Sequence, residues 1–291
     1  MYVNNTNKGI GKMKIKIKDK EIKNRIDSAV ESLFSELETG KSERLLKYLD
    51  FAARFRHYSF YNTLLIYFQN PEASYVTGYI TWNEQGFIIN KGSKAIKILA
   101  PRFYKCYKKD DETIFINKDN KIPDDVEIEE GIYFIPVSVF DISQTTKTEK
   151  AKDIITDYYY SIGNDFKNEY LKLKDKIENE GIKIIENNNG RPEGTATADK
   201  ITIKSSRDYN NRFLTLLHEY THVLADHTNG DFTKQDKEVQ AEAVSYMVAK
   251  SLGLENPFSK DYILHWGKDK KTFTKNLEKV LELTNKIMEK F

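Results

Sequence analysis

Arg212-Phe213-Leu214-Thr215-Leu216-Leu217-His218-Glu219-Tyr220-Thr221-His222-Val223-Leu224-Ala225 is the stretch on which the reading of this chain turns. Phe213, Leu217, Tyr220 and Leu224 recur at helical spacing, so the segment reads as one amphipathic helix. Residues four apart share a helix face, and His218 and His222 can therefore offer two imidazole nitrogens to one metal ion. Glu219 is offset around the helix. That position suits a carboxylate that takes a proton from water activated at the metal. The chain holds only five histidines, which favours a metal site over a surface helix carrying two of them by coincidence.

A mononuclear zinc site takes a third protein ligand and leaves a fourth position open. Downstream, Lys237-Glu238-Val239-Gln240-Ala241-Glu242-Ala243-Val244-Ser245-Tyr246-Met247-Val248-Ala249 again has helical periodicity, with Glu238 and Glu242 on one face. Two carboxylates on a buried face are costly unless something neutralises them. One of the pair reads as a metal ligand and the other as the acceptor for a ligating histidine's N–H. The competing reading is an exposed acidic face.

These two motifs, HExxH followed by Glu238-Val239-Gln240-Ala241-Glu242, resemble the ImmA/IrrE-type zinc metallopeptidases, which carry HExxH and then E-x-x-A-[DN]. The resemblance maps the third zinc ligand onto Glu238 and a His-orienting role onto Glu242. Glu stands where Asp or Asn is usual, so the division between Glu238 and Glu242 stays open. The stretch from Glu242 through Ala249-Lys250-Ser251-Leu252-Gly253-Leu254 to Tyr262-Ile263-Leu264-His265-Trp266 looks like the peptidase half of ArdC-like antirestriction proteins of mobile elements. Arg54-Phe55-Arg56-His57-Tyr58-Ser59-Phe60-Tyr61-Asn62-Thr63-Leu64-Leu65 resembles the opening of the ArdC-type single-stranded-DNA-binding domain. So do Gly78-Tyr79-Ile80-Thr81-Trp82-Asn83-Glu84-Gln85-Gly86 and Lys91-Gly92-Ser93-Lys94-Ala95-Ile96-Lys97-Ile98-Leu99-Ala100-Pro101. Val139-Phe140-Asp141-Ile142-Ser143-Gln144-Thr145 looks like that domain's closing strand.

A chain of 291 residues with 39% hydrophobic and 31% charged residues has the make-up of a soluble globular protein with room for two domains. No apolar run approaches a membrane span. Met1-Tyr2-Val3-Asn4-Asn5-Thr6-Asn7 lacks a signal-peptide core, and Cys106 is the only cysteine, so the expectation is a cytoplasmic protein without disulfides.

The net charge of +2 conceals an asymmetry. Residues 41–109 hold 12 Lys or Arg against 4 acidic residues, together with 15 aromatics. Residues 110–130 hold 9 acidic residues against 2 lysines. Cations that track a backbone and rings that stack on bases are what single-strand binding uses. Arg54, Arg56, Tyr58, Asn62, Trp82, Lys91 and Lys94 are the candidate contacts. Phe51, Phe55, Leu64, Leu65 and Phe68 recur at helical spacing and read as core.

The expected fold is α+β in two domains. Residues 1–148 form the first, with a basic arm at 1–22, helices at Asp27–Leu37, Ser42–Phe55 and Tyr58–Gln69, and short antiparallel strands between Val76 and Phe140. Residues 149–291 form a zincin-like metallopeptidase domain. Its elements are helices between Ala151 and Glu180, strands at Ile182–Ile185 and Ile201–Ile203, and the active helix. Further helices follow to Leu252, around Tyr262, and from Thr272 to Lys290. Gly194-Thr195-Ala196-Thr197-Ala198-Asp199 reads either as an edge strand that receives an extended peptide or as an ordinary connection.

The chemistry expected is zinc-assisted hydrolysis of a protein substrate. His218, His222 and Glu238 hold one zinc ion, Glu219 is the general base, and Tyr262 or His265 stabilises the oxyanion. His227 and His57 read as structural or exposed. Two rivals remain: a DNA-binding protective module whose zinc is structural or regulatory, and a regulatory protease that cleaves a repressor. The resemblance to ArdC-like proteins implies antirestriction and conjugative transfer, with single-stranded DNA and a protein substrate as partners and no membrane.

Overall fold

Apolar alternation along Ile96-Lys97-Ile98-Leu99 and again along Ile135 to Val139 builds the longest ladder in the protein. In the computed structural model, strands β4 (Ile96–Lys109) and β6 (Ile128–Asp141) pair antiparallel from Ile96↔Val139 to Tyr107↔Ile128. The structure describes residues 16–17, 19–55, 57–109, 112–116, 122–123, 126–151, 165–188, 192–227, 232–254, 266 and 269–291. Where short strands were expected between Val76 and Phe140, β4 is one long continuous strand running through Pro101. There β4 pairs only with β6, because β5 (Glu112–Phe115) begins pairing at Cys106. A proline's missing N–H is tolerated where one side of the strand is open.

The remaining elements follow in chain order. β1 (Lys16–Ile17) precedes helices α1 (Lys20–Glu38), α2 (Glu43–Arg54) and α3 (Phe60–Gln69). Next come β2 (Val76–Thr77), α4 (Tyr79–Glu84) and β3 (Phe87–Ile89), and then, after β6, β7 (Thr145–Lys147). The second half contains α5 (Lys167–Asn179), β8 (Lys183–Asn187), β9 (Gly194–Thr197), β10 (Lys200–Lys204), α6 (Tyr209–Leu224), α7 (Lys234–Ser251) and α8 (Lys270–Met288). The basic arm expected at 1–22 ends in β1, parallel to β6, and in the first turn of α1; residues 1–15 lie outside the described residues.

Two compact units emerge, and they do not follow the expected cut at 148/149. One comprises residues 1–28 and 76–151, the other residues 29–75 and 152–291. In the first, β1, β6, β4 and β5 form a sheet to which β2 adds on β6, and β3 pairs with β7. Its core holds Trp82, Phe87, Ile96, Ile98 and Val139, and Cys106 is buried in β4 opposite Phe115, the last residue of β5. Residues 139–145 do not run as a single strand. Asp141 accepts from Ser143 N (2.9 Å) while its own N–H donates to Gln144 Oε1 (2.9 Å), a capping box that turns the chain into a 3-10 turn before β7.

In the second unit, α2 joins the C-terminal helices because its apolar face matches theirs. Leu45, Tyr48, Leu49 and Ala52 are buried, Ser251 donates to Ala53 O (3.2 Å), and Tyr246 donates to Asp50. The small sheet has the order β8-β10-β9, with β8 parallel and β9 antiparallel to β10. The small-residue stretch is thus a strand, β9, at the sheet's edge. Nearly every residue of α7 after Val239 is buried, as expected of a helix packed on α2, α6 and α8.

Candidate metal centre

Helix α6 starts at Asp208, whose side chain accepts from Asn211 N (3.0 Å). Phe213, Leu216, Leu217 and Tyr220 seal its inner face. The histidine face turns toward α7, which is capped by Thr233 through Asp236 N (3.1 Å). His218 Nε2 and His222 Nε2 lie 3.1 Å apart. Glu238 sets Oε2 3.4 Å from His218 Nε2 and Oε1 3.8 Å from His222 Nε2. Ligands on a tetrahedral zinc, with bonds of about 2.0–2.2 Å, stand roughly 3.3 Å apart. The three side chains therefore fit one such ion, and among the described residues they are the group whose donor atoms converge in this way.

Glu242 faces the other nitrogen, with Oε1 3.3 Å from His218 Nδ1. The spacing places Glu238 on the convergent side and Glu242 behind it. Glu219 is 9% exposed and lies against β9: a Cβ built on Gly194 would come within 2.8 Å of Glu219 Oε1. Burial, with Glu238 adding repulsion and His218 opposing it, pushes the Glu219 carboxyl up to about 7. Such a carboxyl can exchange a proton near neutrality. Burial alone would lower His218, but its bonds to Glu238 and Glu242 outweigh this and push it up to about 10. His222 is pushed down by burial and by the charge on His218.

His227, read from the sequence as structural or exposed, is buried beside His222. Its Nδ1 lies 2.9 Å from His222 Nδ1 and its Nε2 2.9 Å from Gln240 Oε1. The turn that brings it there is legible only in the structure. Asp226 takes φ +51°, His227 N donates to His222 O (3.1 Å), and Asp226 N donates to Val223 O (3.0 Å), a Schellman end to α6. Its distance of five residues from His222 was the one signal, and it carries no helical meaning.

Tyr262 and His265 lie outside the described residues, as does Arg56. Of the candidate DNA contacts, Trp82 is corrected. It is fully buried, its Nε1 donates to Phe140 O (2.9 Å), and its ring meets Phe87 at 5.2 Å, so it offers no face to a base. Lys91 and Lys94 are exposed in the turn between β3 and β4. Arg54 is half-buried with its guanidinium 5.5 Å from the Phe51 ring centre, and Tyr58 and Asn62 are half-buried. Phe68, read as core, is 38% exposed. No helix among the described residues is long and apolar enough to cross a membrane.

The chain is similar to the uncharacterized protein pXO2-81 of Bacillus anthracis, at 26% identity over 288 residues. That alignment covers 89% of this chain and 48% of the relative, so the chain spans about half the length of the curated relative it matches. Two solved structures of the antirestriction ArdC protein from the R388 plasmid share its fold. The metal-free one has a TM-score of 0.54 at 17% identity and the Mn(II)-bound one 0.52 at 16%; each match covers 91% of this chain and 97% of that one. The family model for the N-terminal domain of anti-restriction factor ArdC matches residues 18–157, just under half of the chain. Residues 18–157 thus match the N-terminal domain of ArdC, in a chain whose fold is similar to that of the R388 ArdC protein over most of its length.

Proposed function

We propose that the protein is an antirestriction factor of the ArdC type, serving a mobile element, that binds single-stranded DNA and carries a zinc-dependent peptidase site. The observation that carries the peptidase half is the convergence of His218, His222 and Glu238 with Glu219 beside them. His218, His222 and Glu238 would hold the ion. Zinc bound there would supply Lewis acidity, making water a nucleophile near neutral pH and polarising the scissile carbonyl. Glu219 takes the proton from the attacking water on its carboxyl oxygen and delivers it to the leaving amine. Glu242 orients His218 through Nδ1. The open edge of β9, next to Glu219 through Gly194, receives the substrate as an added strand. Tyr262 or His265 is the proposed oxyanion donor. The C-terminal half resembles the ImmA/IrrE-type peptidases in its motifs, and the site works in the cytoplasm.

The test is Glu219→Gln in the full chain, loaded with zinc and, because the ArdC neighbour was solved with Mn(II), with manganese. Metal affinity should stay within about twofold, while hydrolysis of labelled denatured casein should fall by at least about 10²-fold. Undiminished hydrolysis would overturn the assignment of Glu219. Entry of unmodified DNA into a restricting host separates the rival reading. If Glu219→Gln protects that DNA as well as the wild type does, protection comes from DNA binding and the metal is structural.

A further inference from the structure

Behind His222 lies a line of buried polar side chains that hydrolysis leaves unused. It ends at Asp236, a carboxylate that can only accept. Asp236 Oδ1 accepts from Asn276 Nδ2 (2.8 Å) and Oδ2 from the Thr233 hydroxyl (2.6 Å). The same Asn276 nitrogen donates to Trp266 O (3.2 Å), so the amide is held with its NH2 on that side. Asn276 Oδ1 is then left to accept from Gln240 Nε2 (2.8 Å). Gln240 Oε1 therefore faces His227 Nε2, and that nitrogen must carry the hydrogen. With one hydrogen on Nε2, neutral His227 is an acceptor at Nδ1. His222 Nδ1, 2.9 Å away, must then be the donor. Its Nε2 is left with a bare lone pair aimed at His218 and Glu238.

We infer that Asp236, Asn276, Gln240 and His227 form a polarity relay that fixes the tautomer of His222 before metal arrives, with His227 as the positioning residue. The inference rests on reading His218, His222 and Glu238 as a metal site. The opposite tautomer would put a hydrogen where the ion must bind. Gln240 and Asn276 are completely buried, so neither can turn its amide to water as an alternative partner. The relay sets His222 from a distance, as Glu242 sets His218 by direct contact.

Long-range ¹H–¹⁵N spectra of the metal-free full chain read the tautomers without any substitution. The expected result is hydrogen on His222 Nδ1 and on His227 Nε2. Zinc affinity, measured by competition with a chromophoric chelator, should fall about 10–100-fold in His227→Ala. Asp236→Asn leaves Trp266 O as the one fixed acceptor holding the Asn276 amide and should admit a fraction of the other tautomer at His222. Hydrogen on His222 Nε2 in the wild type overturns the relay. So does wild-type zinc affinity in His227→Ala while His222→Ala abolishes binding, and in that case the metal site itself stands. If wild type and His222→Ala bind zinc equally weakly, the metal site falls and the relay with it.

Discussion

Gly194 owes its importance to the side chain it lacks. A Cβ there would stand 2.6 Å from Thr215 Cγ2 and 2.7 Å from Glu219 Cγ, closer than non-bonded atoms approach. Gly194→Ala must therefore displace the Glu219 carboxyl while leaving His218, His222 and Glu238 in place. Under the proposed peptidase role, hydrolysis should drop by about tenfold or more, since small misplacements of a catalytic group are costly, with zinc affinity within about twofold. An unchanged kcat/KM would show that Glu219 is not fixed by β9. At this scale the sequence was legible wherever spacing along one helix encodes geometry, which is how His218, Glu219 and His222 were found. His227, Gln240 and Asn276 were not legible, because each is placed by a turn or by a second helix. Trp82 was misread because an aromatic among cations has the same sequence pattern whether its ring points in or out.

Helix α6 is tied to its sheet by one carboxylate. Glu186 on β8 accepts from Tyr170 (2.8 Å) and Lys174 (2.9 Å) on α5 and from Arg212 on α6, whose guanidinium also lies 4.7 Å from the Tyr170 ring centre. Burial would raise this carboxyl, but the bonds from Lys174 and Tyr170 and the Arg212 charge outweigh it and hold it below its ordinary 4.5. A depressed carboxylate contributes its stability above that value and loses it as pH falls through the folded-state value. Glu186→Gln should therefore cost about 2 kcal/mol at pH 7, from charged hydrogen bonds lost, and thermal unfolding should show that gap shrinking toward pH 3. A gap independent of pH would place the effect in packing instead. Among the elements, α2, α3, α6, α7 and α8 followed their periodicity to within a few residues, α1 began at Lys20 rather than Asp27, and the strands of the first unit merged or split. Ladder length depends on the partner strand, as at Pro101, and the break at Asp141 depends on a capping box that alternation cannot signal.

Across the whole molecule, the assignment of residues 29–75 to the C-terminal unit was hidden in the sequence, because an amphipathic face declares that it will be buried without naming its partner. The proposed single-strand binding belongs to this scale too. Lys91→Glu with Lys94→Glu should weaken binding to labelled oligonucleotides and shrink the slope of log K against log salt by about 1.4, at about 0.7 per phosphate contact. Trp82→Phe should leave binding intact. A salt slope unmoved by the lysine changes would locate the nucleic acid elsewhere. One last property follows from the burial of Cys106 in β4, where the ladder to β5 begins. It is the sole thiol in the chain, so a thiol reagent has a single target. When reclosing outruns reaction, the labelling rate is the free-thiol rate multiplied by the fraction of time the strand is open. The wild-type chain thus carries its own chemical stopwatch for breathing of the first unit, read by mass without any introduced probe. Added single-stranded DNA that binds this unit should slow it.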